Sequence, residues 1–247
     1  MARRGRTIAF GMTYASYTRE TAEPLKAIAH RRRYVQVAKI LGARPSDTFL
    51  DYGCADGHLF HHLPDFPRRS MVGYDPSTDL LGEMAPELRD SVRTYSDRDA
   101  LLREQSGRFT LIACVEVFEH LMPDATNAAL HTIQRLAAPG ARIVIGVPIE
   151  TGASGFVKNL YRLTKKGRQG ASAGKAFRAL LGLPMARLDP RDGWTDSHIG
   201  FRDRHFRRLL LASGFTIHRI DYLPFPVLGR VFNNEIYFIC SVARDVS

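Results

Sequence analysis

The sequence has little cysteine, no long apolar run and, between residues 151 and 188, no acidic side chain. Cys54, Cys114 and Cys240 are isolated, without a C-x-x-C pair, which excludes a disulfide framework or a zinc ribbon and predicts reduced core thiols. No stretch reaches the ~18 to 20 consecutive apolar residues of a membrane span. The opening MARRGRTIAF lacks the apolar run of a secretory signal, so the expectation is a soluble, cytoplasmic protein. Where acids are missing, bases collect: residues 151–188 carry a net charge of +8 and residues 1–44 another +8, against −7 for residues 45–150. The chain's +10 therefore resides in an amino-terminal arm and one later segment, which predicts an anionic partner beside the site. The run Arg31–Arg33 alone reads as solvated surface charge. A chain of 247 residues, 45% of them apolar, buries a full core as one domain with an insertion.

The organising stretch is Thr48–His58, TFLDYGCADGH. Phe49 and Leu50 end a buried strand, Asp51 closes it, and Gly53, Ala55 and Gly57 form a tight turn into a helix from about His58 to Leu63. Such a turn lets a ligand approach backbone N–H groups closely, at the crevice where open α/β sheets bind nucleotides. A second apolar run, Met71–Tyr74, ends at Asp75, eighteen residues past Gly57 and about where a carboxylate grips a ribose diol. A dinucleotide fingerprint would need glycine at 58 and at the middle position, where the chain has His58 and Ala55. An acid before a small-residue turn suits a nucleoside with an ammonium and no phosphate, the chemistry of S-adenosylmethionine.

Together with four later segments, this stretch resembles the class I S-adenosylmethionine-dependent methyltransferases, and particularly the small-molecule group that includes ubiquinone-biosynthesis O-methyltransferases. DYGCADG resembles the glycine-rich loop, GYDPSTDLL the ribose-binding strand end, FTLIACVEVFEHL the fourth strand and its exit, LAAPGARIVIGVP the fifth strand, and HIGFRDRHFRRLLLASGF the late helix and sixth strand. The resemblance implies an α/β, Rossmann-like, mostly parallel seven-stranded sheet with an antiparallel last strand, helices on both faces and a helical insertion after strand five. Residues 1–44 form a basic arm and helix, 45–247 the methyltransferase domain, and 151–193 a basic lid over the acceptor pocket. The family has Asp where the fourth strand has Thr110, a structural position. Asp51, Gly53, Ala55, Gly57, Asp75 and Glu116 are expected to line the cofactor, Pro76 to pack on its adenine, and Asp97 or Asp99 to accept from the adenine amino group. Tyr14 and Tyr17, in an arm with Phe10, are candidate lid contacts.

Glu116–His120, EVFEH, admits three readings. Glu116 and His120 line the acceptor pocket, with His120 taking the acceptor's proton; Glu116, Glu119 and His120 bind magnesium or manganese, as similar patterns do in some relatives; or Glu119 and His120 cap the following helix. His198, which precedes the last helix as a histidine does in the family, is the second candidate base. In the insertion, Phe156, Val157, Leu160, Tyr161 and Leu163 form an apolar stripe opposite Lys158, Arg162 and Lys165. That pattern reads first as a lid packed on the core, then as a basic helix on an anionic membrane, and third as a nucleic-acid contact, for which stacking aromatics are missing. The functional expectation is methyl transfer to oxygen or nitrogen of a small-molecule, sugar or lipid acceptor. The alternatives are an RNA methyltransferase and a catalytically inactive binding subunit.

Overall fold

The computed structural model describes residues 24–63, 65–164, 172–186, 193–195 and 197–243. Phe10, Tyr14 and Tyr17 lie outside them. The first helix, α1 (Pro24–Leu41), ends at Gly42, whose φ of 50° and bond to Ala38 O (3.1 Å) make a left-handed stop. The chain then runs through β1 (Phe49–Tyr52), β2 (Met71–Tyr74), α2 (Thr78–Gly82), α3 (Pro86–Arg89), β3 (Arg93–Tyr95), α4 (Arg98–Gln105), β4 (Phe109–Val115), α5 (Pro123–Leu136) and β5 (Ala137–Pro148). It finishes with α6 (Gly152–Thr164), α7 (Ala173–Leu180), α8 (Asp203–Ala212), β6 (Phe215–Leu223) and β7 (Glu235–Val242). The segment after the glycine-rich turn is a 3₁₀ helix, His58–His62, a tighter element than the predicted α-helix.

Seven strands form one sheet in the order β3-β2-β1-β4-β5-β7-β6. The first five are parallel, and β7 pairs antiparallel with both β5 and β6. The expected sheet is therefore present. β5 begins at Ala137, and its Pro139-Gly140 segment is taken up in an irregularity of the pairing between Phe109 and Leu111 of β4.

Alternation along the strands supplies two apolar layers. Leu50, Tyr52, Ile112, Cys114, Ile143 and Ile145 pack in one, and Phe49, Met71, Leu111, Ala113 and Val144 in the other. With both faces covered, β4 reads as a near-continuous apolar run. The three cysteines are free and buried, as expected. Because connections leave β1 and β4 in opposite directions across the sheet, the crevice at their carboxyl ends is the place where this topology opens a ligand site.

The insertion differs from its predicted packing. Phe156 and Leu163 are half-buried, but Val157, Leu160 and Tyr161 face outward. Lys158 instead turns inward, donating to Ile149 O (3.0 Å), Glu150 Oε1 (3.1 Å) and Asn234 O (3.1 Å). Three acceptors hold this ammonium more firmly than water would, and that fixes which way the helix faces. The side chain of Arg162 and all of Lys165 lie outside the described residues.

Candidate active site

The turn after β1 is held to the end of β2. Gly53 N–H and Cys54 N–H both donate to Tyr74 O (2.7 and 3.0 Å), and Ala55 N–H donates to Asp75 Oδ2 (3.0 Å). Asp75 Oδ1 accepts from Ser77 N–H (2.9 Å), so the carboxylate faces the turn with both oxygens fixed and a lone pair left on each. Gly53 has a φ of 89°, and a β-carbon there would lie 2.3 Å from Val117 Cγ2. Ala55 takes a φ of 46°, rare without glycine, which carries its amide to Asp75. Pro76 is exposed beside Asp75. Asp97 caps α4, accepting from Ala100 N–H (2.6 Å), while exposed Asp99 pairs with Arg98 (3.5 Å).

This edge is rich in carboxylates. Asp51 is buried, and burial followed by the charge of Asp75 pushes its pKa up to about 7. Burial raises Asp75 as well, and its two backbone donors pull it back. Glu116 leaves β4 with a φ of 59° and lies 3.4 Å from Arg33 Nη1. Arg33 also donates from Nε to Glu235 Oε1 (2.7 Å), and Tyr237 Oη donates to Glu235 Oε2 (2.7 Å). The expectation of solvated charge therefore fails for Arg33, which is largely buried and ties α1 to β4 and β7; the side chains of Arg31 and Arg32 lie outside the described residues. Burial disfavours the guanidinium charge, but Glu116 and Glu235 more than offset it and hold its pKa raised.

Beyond the end of β4 the structure brings the two predicted histidines together. Residues 193–195 dock on 120–122, with Met122 N–H donating to Gly193 O (2.7 Å) and Thr195 N–H to His120 O (2.8 Å). Trp194 stacks on His120 with ring centroids 4.7 Å apart. His120 Nδ1 lies 2.8 Å from Thr195 O, a carbonyl that only accepts, so Nδ1 carries the proton and Nε2 the lone pair. His198 Nε2 is 3.2 Å from His120 Nε2, and its Nδ1 is 3.9 Å from buried Glu150. Trp194, Thr195 and Glu150 were missed from sequence, although Trp194 is the chain's one tryptophan and lies four residues before His198.

The fully buried Glu119 brings a carboxylate oxygen into the same group. Ligand atoms of Glu119, His120 and His198 all lie within 4.8 Å of one another. The group differs from the predicted Glu116, Glu119 and His120, because His198 stands in it and Glu116 is paired with Arg33. Burial, then the charge of Glu116, holds the Glu119 carboxyl well above the usual carboxylate range. One carboxylate and two imidazoles suit a divalent cation, and each imidazole has a partner for its second nitrogen, Thr195 O or Glu150.

A family model for a methyltransferase domain matches residues 25–220. The ubiquinone biosynthesis O-methyltransferase of Methylococcus capsulatus is 32% identical over 117 residues, which are 46% of this chain and 47% of that protein. The match thus spans about half the length of that curated relative. Among solved structures, the fold is similar to magnesium protoporphyrin IX methyltransferase from Synechocystis PCC 6803 with bound SAH, at a TM-score of 0.58 and 16% identity, covering 91% of this chain and 89% of that one. It is also similar to the Burkholderia thailandensis 1,6-didemethyltoxoflavin-N1-methyltransferase with bound 1,6-didemethyltoxoflavin and S-adenosylhomocysteine, at a TM-score of 0.55 and 16% identity, covering 94% and 86%.

Proposed function

Because the chain belongs to the methyltransferase-domain family and is a class I S-adenosylmethionine-dependent methyltransferase, we propose that it methylates an oxygen or nitrogen of a small-molecule, sugar or lipid-type acceptor. The observation that carries this reading is the placement of Asp75 on the small-residue turn together with the His120–His198 pair after β4. The bound cofactor supplies a sulfonium-activated methyl group. The protein's part is to align donor and acceptor and to accept the acceptor's proton. The lone pairs of Asp75 suit a ribose diol, Pro76 offers a flat neighbour for the base, and Asp51 and Glu116 favour a cationic amino-acid end. His120 Nε2 and His198 Nε2, 3.2 Å apart, are the two nitrogens offered to that proton, with Thr195 O behind the one ring and Glu150 behind the other to favour the charged form. Incubation with methyl-labelled cofactor and cell extract tests the acceptor class, and label recovered in RNA or protein would overturn it.

The Asp51 carboxyl gives the binding step a pH signature. Its pKa, raised from 3.8 to about 7, makes ionised Asp51 a cost to the cofactor-free fold that grows as pH rises toward 7 and is complete above it. A cation beside it favours ionisation, so binding releases a proton near and below neutrality. Affinity for S-adenosylmethionine is therefore expected to rise between about pH 6 and pH 8, and Asp51→Asn to flatten the profile. Calorimetry in buffers of different ionisation enthalpy counts the proton; a flat profile in the unaltered protein would remove Asp51 from the cofactor's surroundings.

The grouping of Glu119, His120 and His198 favours a second reading of the acceptor side. Held there, magnesium or manganese would polarise an acceptor hydroxyl and lower its pKa. Chelation separates the two: a base needs no metal, whereas a cation site loses turnover with a chelator, regains it with added manganese, and loses manganese binding in His198→Ala.

A further inference from the structure

The 3₁₀ helix His58–His62 begins directly after Gly57, the last small residue of the turn that follows β1. Gly57 N–H donates to Cys54 O (2.8 Å), and Gly57 O accepts from Phe60 N–H (3.0 Å), so helix and turn share one run of backbone bonds. Phe60 is fully buried beneath them. His58 and His62 are half-buried, and their Nε2 atoms lie 3.3 Å apart. In a helix of three residues per turn, positions four apart stand about 120° from each other around the axis, so these rings do not meet by periodicity. Tyr34 of α1 gathers them. Its ring lies within 7° of parallel to His62, with centroids 5.7 Å apart, and meets His58 at 80° and 4.6 Å.

Two imidazole nitrogens at this separation have two uses. In a plain hydrogen bond one ring donates to the other; in a chelate both rings carry their proton on Nδ1 and turn the Nε2 lone pairs on one cation. The distance fits the second use closely. Zinc–imidazole bonds of about 2.0–2.1 Å drawn from the two Nε2 atoms would meet at about 104–111°, the tetrahedral angle. Imidazole donors and that angle select zinc over magnesium, calcium or manganese, which prefer oxygen and higher coordination. We propose that His58 and His62 form a zinc site, separate from Glu119, His120 and His198, that closes the 3₁₀ helix directly behind the small-residue turn. Water completes the tetrahedron, and Tyr34 walls one side, which ties α1 to the site. An ion chelated by the folded helix, and not by the unfolded chain, adds its binding free energy to the fold.

Equilibrium dialysis and thermal unfolding of the full chain with zinc test the site, in the unaltered protein and in His198→Ala, which dismantles the other group of metal-ligating side chains. Both proteins are expected to bind zinc saturably and to unfold at a higher temperature in its presence. In the His198→Ala background, His62→Gln keeps a side chain that hydrogen-bonds to His58 but removes the imidazole. It is expected to weaken zinc binding roughly 100-fold or more, the gain that a second linked ligand gives, and to abolish the thermal shift. His58→Gln should do the same. Absence of saturable zinc binding overturns the proposal, as does undiminished binding in both glutamine variants. So does binding that His198→Ala removes and His62→Gln leaves intact, which would assign the ion to His120 and His198. Neither measurement requires methyl transfer, so loss of this site would leave the proposed reaction standing.

Discussion

Asp75→Asn is expected to weaken S-adenosylmethionine binding by roughly 10² to 10⁴, the effect of removing two hydrogen bonds to a charged acceptor at about 1.5–3 kcal/mol each. Asn keeps the shape of Asp75 and one acceptor for Ala55 N–H, but it presents a donor where the diol needs an acceptor. The cofactor-free protein should meanwhile change little in stability, because the acceptor that Ser77 N–H loses is offset by removing a carboxylate whose charge burial already disfavours. Calorimetry and thermal unfolding of the same sample separate these outcomes. Unchanged affinity would refute the ribose assignment, and a fall in both quantities would reassign Asp75 to holding the turn.

Arg33→Met is expected to cost about 3–5 kcal/mol of folding stability, the range for removing one partner of a buried ion pair. Methionine fills much of the same space, so the loss would measure the carboxylates left behind, Glu235 beneath Tyr237 and Glu116 at the end of β4. Adding Glu235→Gln should restore most of that loss, because the remaining amide carries no charge. A loss below about 1 kcal/mol would place Arg33 among ordinary surface pairs.

The parts of the fold that were legible in sequence are those fixed by neighbours along the chain. TFLDYGCADGH announces a strand and a tight turn because small residues and a terminal acid follow an apolar pair, and FTLIACV announces a strand covered on both faces. Both are present, with Asp75 facing the turn. Arg33 was not legible, because Glu116 and Glu235 lie 83 and 202 positions away and a basic triplet looks solvated until they are placed. Glu150 and Thr195 escaped for the same reason: their roles arise from contacts with histidines 48 and 75 residues distant. The insertion shows a different limit. Periodicity groups Val157, Leu160 and Tyr161 on one face of a helix, but it does not say whether protein or surroundings lie opposite. That was decided by the three acceptors that draw Lys158 inward.

The position of β7 between β5 and β6 imposes an order on biosynthesis. As the ribosome releases the chain, β6 emerges before the strand that will hold it, and β5 is left with an open border on the same side. Only when Glu235–Val242 slides between them are both borders closed, and the same arrival delivers the carboxylate that Arg33 has awaited for 202 residues. A nascent polypeptide short of that strand exposes two unmatched rows of amide groups, the templates from which edge-to-edge association starts. β7, made after both of its neighbours, is thus the keystone of the sheet.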